Sequence, residues 1–380
     1  MAKVVGVGAT PYSKNSAMTL AGLASRAVKA AVADAGLNLE DVDGIGSFQL
    51  HDSVMSEVVV TTLDLTGLTW TMDWLGGGNL PCALVGEAAD AVDAGRAEIV
   101  VLYRAMNGRS GRRLGGTGQR PTFPGVDQFY GPPGVVSYAQ KMALWAQHYK
   151  AHFGLSDDVF GPIATTFREH ALKNPRAMMT KPMGHQEYLD SRWIVDPFRL
   201  PDICLESDGA VAVVVASDAV AASTRKPVDI LSYAVAMENG AGLDLSDLLT
   251  WDDLTSNYAG RLRDPLLGRA QLDLSDIDVA EIYDCFTYTV CMSMEGLGFT
   301  EPGQTGAWFA AGGGDGVGGP AVNTHGGLLS EAYIHGMNHI LEAVEQVRGE
   351  SQGWQVPDAR TALITSGAMT AGSAMILARS

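Results

Sequence analysis

Short apolar runs alternate with Ala-rich segments of helical periodicity along most of the chain. Val4–Val7 predicts a strand, and Thr19–Ala35 predicts a helix with small residues on its buried face. Pro81–Ala94 predicts a second helix, which begins with proline and is followed by Gly95. The Ile- and Val-rich run Glu98–Tyr103 is typical of a strand that is buried on both faces. This alternation indicates an α/β fold, with parallel strands covered by helices.

One sequence pattern occurs twice. Residues 35–43 and residues 270–278 both read Ala-x-Leu-x-Leu-x-Asp-(Val or Ile)-Asp, and each copy follows a predicted helix and precedes a strand-like run. We therefore predict two copies of one α/β unit, residues 1–225 and 226–380, joined near Ala221–Pro227. Glu98–Tyr103 and Thr361–Thr365 are then equivalent strands of the two copies.

A long stretch of different composition separates two predicted strands of the first unit. Residues 104–204 are rich in Gly, Pro, Arg, His and aromatic residues, and they precede the strand-like run Val211–Ala216. Helical patterns occur at Tyr138–Phe153 and Asp157–Leu172. Inserted segments of this length usually cover a binding site, so we predict a lobe on the substrate side.

Composition narrows the class of protein. Of the 380 residues, 46% are hydrophobic, which is typical of a folded protein. The formal net charge is −17, which disfavours binding to nucleic acid. The N-terminus does not resemble a signal peptide and no run of 18 apolar residues occurs, so we expect a cytoplasmic protein without a membrane span. The four cysteines lack the spacing of a disulfide framework or a zinc site and are predicted to be core residues: Cys82, Cys204, Cys285 and Cys291.

Several motifs resemble those of the thiolase superfamily. Residues 281–286, Glu-Ile-Tyr-Asp-Cys-Phe, resemble the thiolase Asn-Glu-Ala-Phe motif, with Tyr283 in place of the Asn. Residues 323–336 resemble the segment Asn-x-x-Gly-Gly…Gly-His-Pro-x-Gly, with Gly326 and Gly327 as the glycine pair and Tyr333 in place of the catalytic His. Residues 170–210 resemble the lipid-transfer-protein branch, which is related to the sterol carrier protein x thiolases. The resemblance implies a thiolase fold, two α/β units layered α-β-α-β-α, with an inserted loop lobe.

The chain departs from the thiolases at their sulfur positions. Alignment places Gly78 where the nucleophilic Cys stands and Ser366 where the second Cys stands, while Cys82 lies one helical turn beyond Gly78. Without a nucleophile, acyl transfer through a covalent thioester is not expected. Tyr283 and Tyr333 remain at the two positions that polarise the thioester carbonyl in thiolases.

This combination resembles the steroid side-chain aldolases of the lipid-transfer-protein group. The resemblance implies a lyase that cleaves a β-hydroxyacyl-CoA of the 17-hydroxy C-20 carboxyl-CoA type to a ring ketone and propionyl-CoA. Retro-aldol cleavage needs a base for the hydroxyl proton, stabilisation of the enolate and an acid for the enolate carbon, but no Cys. We expect Tyr283 and Tyr333 to share this work.

Other residues are predicted to assist the two tyrosines. His325 and His335 are possible proton partners, and Asp284 and Ser366 are possible supporting residues. Tyr333 is predicted to open an amphipathic helix, whose N-terminus would favour a phenolate.

The densest cationic run is predicted either to clamp the CoA phosphates or to be solvated surface. It comprises Arg109, Arg112 and Arg113, and Lys173, Arg176 and Lys181 form a second candidate clamp. Gly78, Gly326 and Gly327 are further candidate substrate contacts.

The resemblance also implies the composition of the active assembly. It predicts no cofactor or metal in this chain, a homodimer, and a small partner protein with an OB fold and a zinc ribbon, which together form a heterotetramer. Two alternatives remain open at this point: an acyl-CoA acyltransferase that uses Cys82, and a catalytically inactive lipid-binding subunit.

Overall fold

The computed structural model describes residues 1–111, 113, 127–237 and 253–380. Its strands are β1 Lys3–Ala9, β2 Gly44–Gln49, β3 Trp70–Leu75, β4 Ile99–Asn107, β5 Trp193–Val195, β6 Phe198–Arg199, β7 Asp208–Ala216, β8 Val228–Met237, β9 Val279–Glu281, β10 Ala321–Val322, β11 Thr361–Gly367 and β12 Ala371–Arg379. Its helices are α1 Leu20–Asp34, α2 Ser56–Leu63, α3 Pro81–Asp93, α4 Asp127–Tyr130, α5 Tyr138–Phe153, α6 Gly161–Lys173, α7 His185–Leu189, α8 Asp218–Ala221, α9 Ala259–Ala270, α10 Thr287–Leu297, α11 Thr305–Ala310, α12 Gly327–Ser330 and α13 Met337–Arg348.

The main sheet consists of two halves with the same strand order. The first half is β3-β2-β4-β7-β1 and the second is β10-β9-β11-β12-β8, with parallel pairing around β2 and β9 and antiparallel pairing elsewhere. The halves join where Lys3 and Val4 pair with Asp229 and Val228. The two half-sheets therefore share one strand order, in which β4 and β11 are equivalent strands.

The repeated sequence pattern adopts the same local structure in both halves. Leu39–Asp41 and Leu274–Asp276 each form a short 3₁₀ helix after the main helix and before β2 or β9. The Asp41 carboxylate accepts the backbone N–H of Asn38 at 2.8 Å, and the Asp276 carboxylate accepts that of Asp273 at 2.8 Å. The two Asp residues thus close identical turns.

Helices cover and separate the two half-sheets. α1 packs on β1, β4 and β7, while α9 packs on β8, β12 and α10. α3 and α13 lie between the halves, because both contact strands of each half. This arrangement is the α-β-α-β-α layering that the resemblance implied. No helix in the described ranges is long and apolar enough to cross a membrane.

The lobe lies between β4 and β7, so it spans residues 108–207 rather than the predicted 104–204. β4 continues through Arg104 to Asn107, and Arg104 is fully buried in it. An arginine inside a strand interrupts the apolar pattern, which is why the sequence placed the boundary too early. The helix at Tyr138–Phe153 is confirmed, but the predicted helix from Asp157 begins at Gly161 as α6.

Candidate active site

The hydroxyl groups of Tyr283 and Tyr333 contact each other in the C-terminal half. Tyr283 follows β9, and its backbone N–H donates to Thr365 Oγ1 at 2.8 Å. Tyr333 lies between α12 and α13, and its backbone N–H donates to Ser207 Oγ at 3.0 Å. The two hydroxyl oxygens are 3.1 Å apart, which is hydrogen-bond distance. The structure thus brings together the two residues that the sequence singled out.

The prediction that a helix N-terminus activates Tyr333 is wrong. α13 begins at Met337, four residues further on, and all of its residues are buried. Burial raises the pKa of both Tyr283 and Tyr333 well above 10, and each phenol also lies beside the other. The pair therefore consists of two neutral phenols, each able to donate and to accept a proton.

Gly78 lies directly against Tyr283. A Cβ atom at Gly78 would stand 1.8 Å from the Tyr283 hydroxyl oxygen, far inside van der Waals contact. The position aligned with the thiolase nucleophile therefore accommodates only glycine as long as Tyr283 keeps its place. A cysteine at this position and a tyrosine at position 283 exclude each other.

Cys82 is fully buried below this loop, near the start of α3. Its Sγ lies 3.1 Å from Ser366 Oγ and 3.7 Å from the carbonyl oxygen of Ile364. Burial raises the pKa of the thiol to about 12. Cys82 is thus a core thiol, which removes the basis for the alternative of an acyltransferase that uses it. Ser366 is also fully buried and holds the start of α3, because its hydroxyl accepts the Cys82 N–H at 3.4 Å.

His325 lies in a buried network of charges rather than beside the tyrosines. Its Nδ1 is 3.0 Å from Glu281 Oε2, and its Nε2 is 3.5 Å from Glu331 Oε2. Although burial opposes charge, these carboxylates raise the pKa of His325 to about 10. Burial likewise opposes ionisation of Glu281, yet His325 lowers its pKa to about 2. The result is a buried imidazolium between two carboxylates.

His339 also lies between two carboxylates, and it is closer to the tyrosines than His325 is. Its Nδ1 is 3.3 Å from Glu281 Oε2, and its Nε2 is 3.1 Å from Asp284 Oδ1. The ligand atoms of Glu281, His325 and His339 lie within 4.8 Å of one another, so these three residues are spaced closely enough to hold a metal ion. Both nitrogens of each ring face a carboxylate, however, and that environment suits imidazolium rather than the neutral ring that ligates metals.

Asp284 connects this network to the turn before Tyr333. Its carboxylate accepts the backbone N–H groups of Leu328 at 2.8 Å and Leu329 at 3.2 Å. Gly327 has φ +63°, and a Cβ there would lie 2.0 Å from Asp284 Oδ2, whereas one at Gly326 would lie 2.5 Å from the Ala171 side chain. The structure gives this glycine pair a packing role, and its contact with substrate stays a prediction.

His335 lies beside Tyr333, with ring centroids 4.9 Å apart. Its Nδ1 is 2.7 Å from Nη2 of Arg104, which in turn lies 2.7 Å from Asp52 Oδ2. Burial, followed by the charge of Arg104, lowers the pKa of His335 to about 3. The sequence did not point to Arg104 or Asp52. The available signal was an arginine that interrupts a buried apolar run, since such a residue needs a partner.

The candidate phosphate clamp is only partly described. Arg109 is 3.4 Å from Glu206, Arg113 binds the same carboxylate, and Arg112 lies outside the described residues. The role of this run in binding CoA stays a prediction. The second candidate is wrong for Arg176, which is mostly buried and bound to Glu345 at 2.5 Å, so its charge is already paired inside the protein.

Comparison with known proteins places this geometry in a family. Residues 240–379 match the family model "Thiolase C-terminal domain-like". The chain is 39% identical to "Steroid side-chain-cleaving aldolase" of Thermomonospora curvata, over 99% of this chain and 97% of the relative. It is 37% identical to "17-hydroxy-3-oxo-4-pregnene-20-carboxyl-CoA lyase" of Mycobacterium tuberculosis, over 99% of this chain and 98% of the relative.

A solved structure matches the fold with similar coverage. The "Ltp2-ChsH2(DUF35) aldolase" superposes with a TM-score of 0.91 at 37% identity, and the match covers 100% of this chain and 97% of that chain. With the duplicated half-sheets, the paired tyrosines and the missing nucleophile, these matches show that the chain belongs to the thiolase superfamily, in its sterol-carrier-protein-thiolase-like branch together with the steroid side-chain-cleaving aldolases.

Proposed function

We propose that the chain is a carbon–carbon lyase that cleaves a 17-hydroxy steroid C-20 carboxyl-CoA by a retro-aldol reaction. The C17–C20 bond breaks, C17 becomes a ketone, and C20 leaves as the enolate of propionyl-CoA, which then takes up one proton. The observation that carries this proposal is the contact of 3.1 Å between Tyr283 and Tyr333 beside a position that only glycine fits. The relatives named as aldolase and lyase support it.

The high pKa of both phenols favours a proton relay rather than a standing phenolate. One tyrosine oxygen accepts the proton of the substrate hydroxyl while it passes its own proton to the other tyrosine. The second tyrosine delivers its proton to the enolate carbon. Each hydroxyl both gains and loses a proton, so neither ring carries a full charge in a site where burial disfavours charge.

The network of buried charges supports this relay by fixing the backbone around it. Glu281 and Asp284 flank Tyr283 closely in sequence, and both are held by His339. Asp284 also fixes the turn that leads to Tyr333. Because the donor and acceptor atoms must stay within hydrogen-bond reach, this rigidity contributes to the rate through positioning.

The assembly is also part of the proposal. We expect a homodimer that binds a small OB-fold and zinc-ribbon protein, giving a heterotetramer, with any zinc in the partner and no cofactor in this chain. The matched "Ltp2-ChsH2(DUF35) aldolase" supports a partner protein. A cytoplasmic location belongs to the same proposal. The two arginines that share Glu206 are the proposed contacts to the CoA phosphates, where a phosphate would compete with one carboxylate.

Product analysis tests this function. The chain is co-expressed with its candidate partner, and the purified complex is incubated with the 17-hydroxy C-20 carboxyl-CoA thioester. We expect the 17-ketosteroid and propionyl-CoA in equal amounts, without added free CoA. Binding of the thioester without any cleavage, even with the partner present, would instead support the inactive lipid-binding subunit. Products that form only when free CoA is added would indicate thiolysis.

A further inference from the structure

Arg104 is a fully buried cation, and one of its partners, His335, lies beside Tyr333. Its Nη1 donates to the carbonyl oxygen of Phe48 at 2.8 Å, and its Nη2 contacts both Asp52 Oδ2 and His335 Nδ1 at 2.7 Å. Although burial opposes ionisation, Arg104 holds the pKa of Asp52 below its usual value. The buried guanidinium and carboxylate thus form an ion pair to which His335 is attached.

The contact with Arg104 determines which nitrogen of His335 carries the proton. A guanidinium has only donors, so Nδ1 of His335 must accept the hydrogen bond. A nitrogen that accepts in this way has no proton, and a neutral imidazole then carries its single proton on Nε2. Arg104 therefore fixes His335 as a neutral ring with an Nε2–H donor.

The Nε2 edge of His335 faces the loop that stands against Tyr283. The ring stacks on Phe48 at 6.2 Å and meets the Tyr333 ring edge-on at 4.9 Å. Its Nε2 lies 3.8 Å from the point that a Cβ atom at Gly77 would occupy. In the described part of the chain nothing accepts a hydrogen bond from this nitrogen, although only 2% of the residue is exposed. A donor that no group of the described chain occupies is available to a bound ligand.

We propose that the Nε2–H group of His335, fixed in this tautomer by Arg104 and Asp52, donates a hydrogen bond to the thioester oxygen of the substrate and stabilises the enolate. This inference rests on the proposed retro-aldol function. As the C17–C20 bond breaks, negative charge develops on that oxygen, and a donor already in place stabilises the charge without reorganisation. A neutral imidazole suits this role because it donates a hydrogen bond without surrendering its proton to the enolate.

Two substitutions separate the donor from the contact with Arg104. His335→Asn keeps an oxygen that accepts from Arg104 but does not reach the Nε2 position, and Asn tolerates the φ of +52° found here. His335→Gln extends an amide N–H toward the Nε2 position. In the assembled complex we expect His335→Asn to lose about 100-fold in kcat, with a much smaller change in KM, and His335→Gln to recover about tenfold of that loss.

A measurement on the unaltered protein accompanies the kinetics. In ¹⁵N-histidine-labelled protein, we expect the His335 resonances to report an unprotonated Nδ1 and a protonated Nε2, assigned by their absence in His335→Asn. A proton on Nδ1 would overturn the inference, as would a His335→Asn complex that cleaves within about threefold of the unaltered complex. If the unaltered complex gives no cleavage, the proposed function fails and this role fails with it.

Discussion

Gly78 lies so close to Tyr283 that a cysteine at position 78 does not fit beside the tyrosine. A Cβ atom at Gly78 would lie 1.8 Å from the Tyr283 hydroxyl oxygen. The loss of the thiolase nucleophile and the gain of this tyrosine are thus one structural change. A pocket that forms an acyl-enzyme in one branch of the superfamily instead holds a pair of phenols here.

Substitution Gly78→Ala is expected to abolish most of the activity without unfolding the protein. The added methyl group forces the Tyr283 side chain away from Tyr333 and breaks the contact between the hydroxyls. We expect kcat to fall by about 100-fold, since removal of one general acid–base step costs that much. The matched control is Gly268→Ala in α9, where a Cβ atom meets nothing within 4 Å. Similar activity losses in both variants would contradict this explanation.

The two tyrosines are expected to act as one unit. Tyr283→Phe and Tyr333→Phe each remove the relay, so each should lower kcat by about 100-fold or more, and the double variant should lose little beyond either single one. Single-turnover cleavage by the assembled complexes measures this. Losses that multiply in the double variant would show two independent roles, and near-normal rates in both single variants would remove the tyrosines from the mechanism.

The buried imidazolium of His325 predicts a dependence of stability on alkaline pH. Its pKa is raised from 6.5 to about 10, so its contribution is fully present below pH 6.5 and is lost as pH rises toward 10. The loss is on the order of a few kcal/mol in the free energy of unfolding. Urea unfolding at several pH values between 7 and 10 measures it.

The matched pair for this test is His325→Gln and His148→Gln, since His148 is exposed on α5. The first variant should be less stable at pH 7 and should show a flatter pH dependence than the unaltered protein. The second should follow the unaltered protein throughout. An unchanged slope in His325→Gln would show that another group carries the alkaline transition.

The edge of the sheet predicts where the proposed dimer forms. β3 is the terminal strand of its half-sheet, and Leu75 on it is 71% exposed. Met55 and Val58, at the start of the preceding helix α2, are exposed as well. An exposed, apolar edge strand favours pairing with a second copy. We expect Leu75→Glu to shift sedimentation toward the monomer, whereas Leu144→Glu, on a lobe helix and 45% exposed, should not. An unaffected dimer in Leu75→Glu would place the interface elsewhere.

Much of the fold could be predicted from the sequence because local patterns of residues determine it. Apolar runs marked β4 and β11, and the repeated Asp-containing turns at Asp41 and Asp276 marked the duplication. The tyrosine pair was accessible because both residues stand at motif positions. The partners of His335 could not be predicted in this way. Arg104 lies 231 residues from His335 in the sequence, and Asp52 lies on a separate loop. Residue spacing carries no information about such contacts.

Other features of the site depended on burial. The sequence suggested activation of Tyr333 by a helix N-terminus, but α13 begins only at Met337, and burial raises the phenol pKa instead. The sequence suggested His325 as a proton partner of the tyrosines, but its ring lies between two carboxylates in a buried network of charges. Both outcomes depend on long-range packing that a linear pattern does not encode.

The proposed cleavage passes through an enolate that the tyrosine pair protonates, without an acyl-enzyme. The most direct measurement is mass analysis of products and protein after cleavage in D₂O. We predict propionyl-CoA with one deuterium on the carbon next to the carbonyl, 17-ketosteroid in equal amount, and unmodified Cys82. An acyl adduct on Cys82, or propionyl-CoA without deuterium, would contradict this mechanism.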